Sequence, residues 1–347
     1  MKRIVWAAAI AAALSAPFIQ PAAAAESAAE FYKGKTVFMQ VGAGPEGSYN
    51  LLARLIARHM GRHIPGNPTI VVQNVPGGGS LALANQFGNS TPRDGTYFGL
   101  FNNGMPTIPL LDPHAGRFDP RKFHFLGSPQ REAHLFGVGG KSQIKTMDDV
   151  FNKTTIVAGE APGAAPTDFP RLTNALIGTK FKIISGYQHQ GDRTLAMQRG
   201  EVDGQAGSSW TTVRSMYKDM LANNEYRVIA AFGMKQNRDL MNVPMFPVGK
   251  TTEERQLFQL MYARQSYGRP LATPPDVPPE RVQALKAALE ATFKDPEYLA
   301  EAEKLDLETD PVPADELTAL TIEIYNTPQA VLDRMPKALA EGAEKIK

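Results

Sequence analysis

Val37-Phe38-Met39-Gln40-Val41-Gly42-Ala43-Gly44-Pro45-Glu46-Gly47-Ser48-Tyr49-Asn50, running into Leu51-Leu52-Ala53-Arg54-Leu55-Ile56, is the stretch on which the reading of the chain turns. The apolar residues from Val37 to Val41 suit a short buried strand. Gly42, Gly44 and Gly47 free the backbone to turn sharply. Leu51, Leu52, Leu55, Ile56 and His59 then recur at helical spacing. Such a strand–turn–helix unit aims the first N–H groups of the helix past the strand's C-terminal edge. With the helix dipole they form a site for an anion. A routine βα connection looks the same locally, so this turn alone leaves both readings open.

The unit recurs. Thr69-Ile70-Val71-Val72-Gln73-Asn74 is a β-branched strand that runs into Val75-Pro76-Gly77-Gly78-Gly79-Ser80 and a second helix carrying Leu81, Leu83, Ala84 and Phe87. Thr96 to Phe101 is a third strand, followed by the small polar turn Asn102-Asn103-Gly104-Met105-Pro106. Thr154 to Gly159, a turn from Glu160 to Asp168 and a helix through Leu172, Ala175 and Leu176 repeat the pattern further on. Further strands are expected at 135–139, 181–187, 202–206 and 227–232. Residues 263–271 read as an extended return to the first half, and helices follow from Pro274 onward. Strands alternating with helices imply α/β domains with mainly parallel sheets, whose turns share one edge.

At 347 residues the chain exceeds the usual size of one domain, and its 43% hydrophobic content suffices for a core. The expected division is 26–127 with 250–347 as a discontinuous first domain, and 128–249 as the second. Met1-Lys2-Arg3, an Ala-rich apolar run and Ala22-Ala23-Ala24-Ala25-Glu26 match a signal peptide cleaved after Ala25, with a membrane anchor interrupted by Pro17 and Pro21 as the alternative, and the mature chain is expected in the periplasm. A formal charge of +2 asks for no nucleic-acid partner. The absence of cysteine excludes disulfides, thiolate metal sites and a cysteine nucleophile.

The tests for enzyme chemistry fail. Gly42 to Ser48 lacks the Gly-Lys-Ser/Thr of a phosphate loop, and Gly77-Gly78-Gly79 is not a dinucleotide fingerprint. Ser208 lacks the glycine spacing of a nucleophile elbow. His59 and His63 stand four apart with no third ligand in view, and read as two half-exposed histidines near a helix end. No cofactor or metal is expected, and the chain is read as a non-enzyme. What remains is a set of turns rich in free amides, at 42–50, 74–80, 102–106, 159–168 and 186–191. Three or four charge-assisted hydrogen bonds of about 1.5–3 kcal/mol each suffice for micromolar binding of a small anion, after ordering costs.

An ordered set of motifs then points to a family. Tyr32-Lys33-Gly34-Lys35-Thr36, Gly44-Pro45-Glu46-Gly47, Val72 to Ser80, Pro92-Arg93-Asp94-Gly95-Thr96 and Arg199-Gly200-Glu201-Val202-Asp203-Gly204 occur in sequence. Over nearly all of residues 31–330 the chain resembles the substrate-binding proteins of tripartite tricarboxylate transporters, the Bug or TctC-like receptors. The resemblance implies two α/β domains that close like a flytrap on a small carboxylate, a monomer, and one large and one small membrane permease subunit as partners. By position it implies ligand contacts from Gly44, Pro45, Glu46, Gly47, Ser48, Tyr49 and Asn50, with Asn74, Gly78 and Ser80 beside them. From the second domain it implies Ala161, Gly163, Ala164, Thr167 and Tyr187. Asn102, His189 and Asp203 complete the candidate set. Glu46 and Asn50 replace the family's usual glycine and aspartate, and Pro166 can offer no N–H. Glu46 is therefore expected to point outward or to face a less charged ligand, with His189 supplying specificity. A sensor for a two-component system and an exported enzyme on the same fold are the alternatives.

Overall fold

The structure is a computed structural model and describes residues 26–45, 48–111, 114–160, 163–187 and 190–345. The expected signal peptide lies outside these residues. Among those described, no helix is long and apolar enough to cross a membrane.

Two sheets organise the chain. The strands of the first are β1 (Thr36–Val41), β2 (Thr69–Asn74), β3 (Tyr97–Leu100), β4 (His124–Ser128), β10 (Leu271–Thr273) and β11 (Val312–Pro313). The second holds β5 (His134–Gly139), β6 (Thr155–Ala158), β7 (Phe181–Ile184), β8 (Gly204–Ser209) and β9 (Tyr226–Phe232). Their orders are β11-β4-β10-β3-β1-β2 and β7-β6-β8-β5-β9. β1 pairs in parallel with β2 and β3, and β6 with β7 and β8, whereas β10 and β5 run antiparallel to their neighbours. The expected α/β fold with two mainly parallel sheets is therefore present, each with one reversed strand inserted between parallel ones, β10 and β5, and with the short β11 also antiparallel at the edge of the first sheet.

That reversal has a simple cause. The chain leaves the first sheet at Ser128 and enters the second at His134 from the edge where the parallel strands end. It returns through Gly268 to Pro270 to start β10 at the corresponding edge of the first sheet. Both crossovers thus join the C-terminal edges of the two sheets, and the turns after β1, β2 and β3 face the region of the turns after β6, β7 and β8.

Leu52, Ala53, Leu55, Ile56 and Met60 of the Ser48–Met60 helix are buried with Val37, Met39 and Val41 of β1 and with Leu285 and Leu289 of the Pro279–Lys294 helix. Removing this apolar stripe from water supplies the main force fixing the helix on the sheet. The reading of residues 263–271 as extended needs correction. The Thr252–Tyr267 helix continues through Arg264 and Gln265 and ends only at Gly268, and the extended segment begins at β10. The C-terminal helix Gln329–Glu344 packs on the Ala165–Ile177 helix beside the second sheet, with Asn174 Nδ2 donating to Gly342 O at 3.1 Å.

Candidate functional site

Three turns of the first lobe are stitched together by side chains. Asn74 Nδ2 donates to Ala43 O (3.0 Å) and Gly44 O (3.1 Å), tying the end of β2 to the turn after β1. Ser80 Oγ donates to Gly42 O (2.9 Å) and accepts from Asn102 N (2.8 Å), so it links all three turns. Gly42 is required there, because a Cβ on it would overlap the Ser80 side chain. Gly78, Gly79 and Ser80 all have positive φ, which explains the glycine run before the second helix. Asn50 Nδ2 closes the first turn onto Pro45 O at 2.7 Å, a donation that an aspartate at this position could not make. Asn102 Oδ1 accepts from Gly104 N at 3.0 Å.

The second lobe is built differently. Thr167 Oγ1 donates to Glu160 O (2.9 Å), and Arg193, 4% exposed, pairs with Glu160 and Gln190. The N–H groups of Thr167 and Asp168 go to Ala164 O, and Gly163 N donates to the buried Asp168 carboxylate at 3.2 Å. Several amides of this turn are thus engaged inside it, and Pro166 has none to offer. Tyr187 N bonds back to Gly159 O at 3.3 Å.

Charged side chains gather where the lobes meet, and the sequence motifs did not single them out. Arg264 reaches from the Thr252–Tyr267 helix to Gly163 O at 3.0 Å. Burial holds its guanidinium below the usual arginine range, against the pull of Asp168 and Glu132. Asp168 is raised above the ordinary carboxylate range by burial, although Gly163 N, Arg264 and Arg171 oppose the shift. Glu132 follows β4 and accepts from Asn103 Nδ2. Tyr49 is raised well beyond a normal phenol, first by desolvation and then by Glu132, while Arg269 and the Asn103 backbone act in the other sense. His134, buried at the start of β5, is pushed down by desolvation and therefore favours the neutral imidazole at neutral pH.

No family model matches the chain, and no curated protein matches its sequence. Solved structures do match. A TctC solute-binding protein from Polaromonas superposes with a TM-score of 0.66 at 14% identity, covering 87% of this chain and 99% of that one. The R. palustris protein Rpa4515 with adipate gives a TM-score of 0.61 at 17% identity over 88% and 97%. The Rhodopseudomonas palustris protein MatC with bound malate gives 0.55 at 17% identity over 88% and 99%. The fold is that of the TctC and Bug periplasmic binding proteins.

On this TctC-type fold the described candidate residues fall into three sets, two at sheet edges and one apart. Gly44, Pro45, Ser48, Tyr49, Asn50, Asn74, Gly78, Ser80 and Asn102 share the C-terminal edge of the first sheet. Gly163, Ala164, Thr167 and Tyr187 share that of the second. Glu46, Gly47, Ala161 and His189 lie outside the described residues. Asp203 stands apart from both edges. It precedes β8 at the opposite end of the second sheet, where its carboxylate accepts from Ser142 Oγ (2.9 Å) and Ile156 N (2.8 Å). Its place in the Arg199–Gly204 motif is therefore explained by a fold contact that joins β6, β8 and the loop after β5.

The two helix-end histidines also resolve. His59 is buried rather than half-exposed, and its Nε2 meets Glu301 at 2.7 Å; His63 Nε2 meets Asp295 at 2.8 Å. His59, Asp295 and Glu297 are close enough to share an ion, but Arg62 lies among them, bonding both carboxylates and His59 Nδ1. A cation already occupies the electrostatic centre of that cluster.

Proposed function

We propose that the chain is an exported solute-binding receptor. It captures a small organic acid between its two lobes and delivers it to a tripartite tricarboxylate-type transporter with one large and one small membrane subunit. The observation that carries this reading is the joining of two α/β lobes by crossovers at their C-terminal edges. That topology sets the turns after β1, β2 and β3 toward those after β6 and β7, and α/β sheets bind ligands at such edges. Rpa4515 with adipate and MatC with bound malate, two proteins of this fold, support a carboxylate as the solute class.

The test is a thermal-shift screen of residues 26–347 against malate, succinate, adipate, citrate and benzoate, with glucose and glycinamide as uncharged and cationic controls. An acid present at about 100 times its dissociation constant stabilises the folded state by about 2.7 kcal/mol and raises the melting temperature accordingly. A chain that responds to glucose and to none of the acids is not an organic-acid receptor.

A further inference from the structure

Arg269 lies in the second crossover, one residue after the Thr252–Tyr267 helix has ended at Gly268, and is 4% exposed. Its backbone N–H donates to Ser128 Oγ at 2.9 Å. Its Nη2 donates to Ser48 Oγ at 3.0 Å, at the first residue of the 13-residue Ser48–Met60 helix. The guanidinium carbon lies 4.6 Å from the centroid of the Tyr49 ring. Nε and Nη1 are buried and have no hydrogen-bond partner among the described residues.

This is an unusual state for a guanidinium. An arginine does not shed its proton in a protein, so burial leaves a full charge to be compensated. Buried charges are ordinarily paired, since leaving one unpaired is among the costliest arrangements in a fold. Arg193 shows the ordinary solution in the same molecule: it is equally buried at 4% and is paired with the Glu160 carboxylate. Arg269 has one neutral hydroxyl and an aromatic face instead. A cavity of about 530 Å³ adjoins it, lined by Ser48, Asn50 and Arg54 of the first lobe and by Thr212 and Ser215 of the second. Asp306 and the apolar Leu51 and Leu307 also line it.

We propose that Arg269 is the anchor for the solute's charge: a carboxylate seated on its unused N–H groups, at the N-terminus of the Ser48–Met60 helix, supplies the missing counter-ion. Resting on the receptor reading above, this narrows the solute class. Arg269 and the helix terminus favour one carboxylate, whereas Arg54 and Asp306 in the same lining are of opposite charge and together offer no net attraction to a second. The remainder of the solute is therefore uncharged and packs toward Leu51 and Leu307. Arg269 Nε and Nη1 are shut off from water in the observed arrangement, so the acid enters while the lobes stand further apart.

The experiment compares wild type, Arg269→Gln and Arg269→Lys by thermal shift with sulfate as a generic anion at constant ionic strength, and with the acids of the screen. Circular dichroism first checks that each variant is folded. Sulfate is expected to raise the wild-type melting temperature by about 2–4 °C more than that of Arg269→Gln, with Arg269→Lys intermediate. Among the acids, benzoate is expected to outperform citrate on wild type and to lose at least tenfold in affinity on Arg269→Gln. Equal sulfate shifts in all three proteins, or none in wild type, overturn the anchor. If a carboxylate still binds under those conditions, the receptor reading survives without it. Conversely, an Arg269-dependent sulfate shift with no response to any acid keeps the anchor and overturns the organic-acid reading. Should Arg269→Gln not fold, Arg269→Lys carries the comparison alone: unchanged acid affinity in that variant sinks the proposal, because lysine lacks the planar fork.

Discussion

The Ser80 hydroxyl has both roles filled by the fold, donating to Gly42 O and accepting from Asn102 N. It is 1% exposed, so removing it leaves the Gly42 carbonyl and the Asn102 amide without the partner they share. Ser80→Ala is expected to cost about 1–3 kcal/mol in urea-induced unfolding. Ser80 also has a φ of 76°, a conformation that glycine adopts without penalty. Ser80→Gly should therefore lose about 1 kcal/mol less than Ser80→Ala. Equal losses would show that the left-handed backbone is not what the residue endures here. The contrast also explains what could be read in advance. The turns were legible because positive φ leaves a compositional mark, as in Gly77-Gly78-Gly79. Whether a side chain in such a turn serves ligand or fold depends on which distant carbonyl lies beside it, and no local spacing encodes that. Arg269, Arg264 and Glu132 were invisible for the same reason: each acquires its role from partners brought near by the crossovers.

At the level of elements, alternation of strand and helix was plain wherever one helix face is polar, as in Ser48–Met60. The far end of the Thr252–Tyr267 helix was misread because its middle is buried nearly all round, through Leu257, Phe258, Leu260, Met261, Tyr262 and Ala263. With no polar stripe there is no period to detect, and Gly268 and Pro270 then made its end look extended. The C-terminal helix shows a second limit. Its amphipathic pattern could be seen, but not that it packs on Ala165–Ile177. Gly342 is the close-approach point, where a Cβ would overlap the Arg171 carbonyl oxygen. In an exposed helix, replacing glycine by alanine gains about 1 kcal/mol. Gly342→Ala should instead destabilise by about 1–3 kcal/mol, because the two helices must separate or bend. Chemical denaturation distinguishes the signs, and a stabilised variant would mean that this helix does not hold its observed seat.

For the molecule as a whole, the contact that reports on the relation between lobes is Thr211 Oγ1 donating to Glu308 Oε2 at 2.7 Å. Thr211 follows β8 of the second sheet, and Glu308 precedes β11 of the first. Glu308 is 7% exposed, and burial raises its pKa above the ordinary 4.5. The Thr211 hydroxyl and Arg214 pull it back, while Asp239 and Glu132 push it further up. A raised folded-state pKa means that the folded chain keeps this proton to higher pH than the unfolded chain does. The resulting stabilisation is complete below about 4.5 and is lost as pH rises through the folded value. Glu308→Gln keeps a carbonyl to accept from Thr211 but removes the titration. Its melting temperature should match wild type in acid and exceed it increasingly as pH is raised toward neutrality. The same substitution should tighten solute binding at neutral pH, since it favours the arrangement in which Thr211 and Glu308 meet. Melting curves at several pH values between acid and neutral check the first claim, and calorimetric titration of the acid found in the screen checks the second. A constant difference across pH would show that the buried carboxyl does not titrate in this range. A pH-dependent difference with unchanged affinity would show that the Thr211–Glu308 contact stabilises the fold without biasing lobe closure.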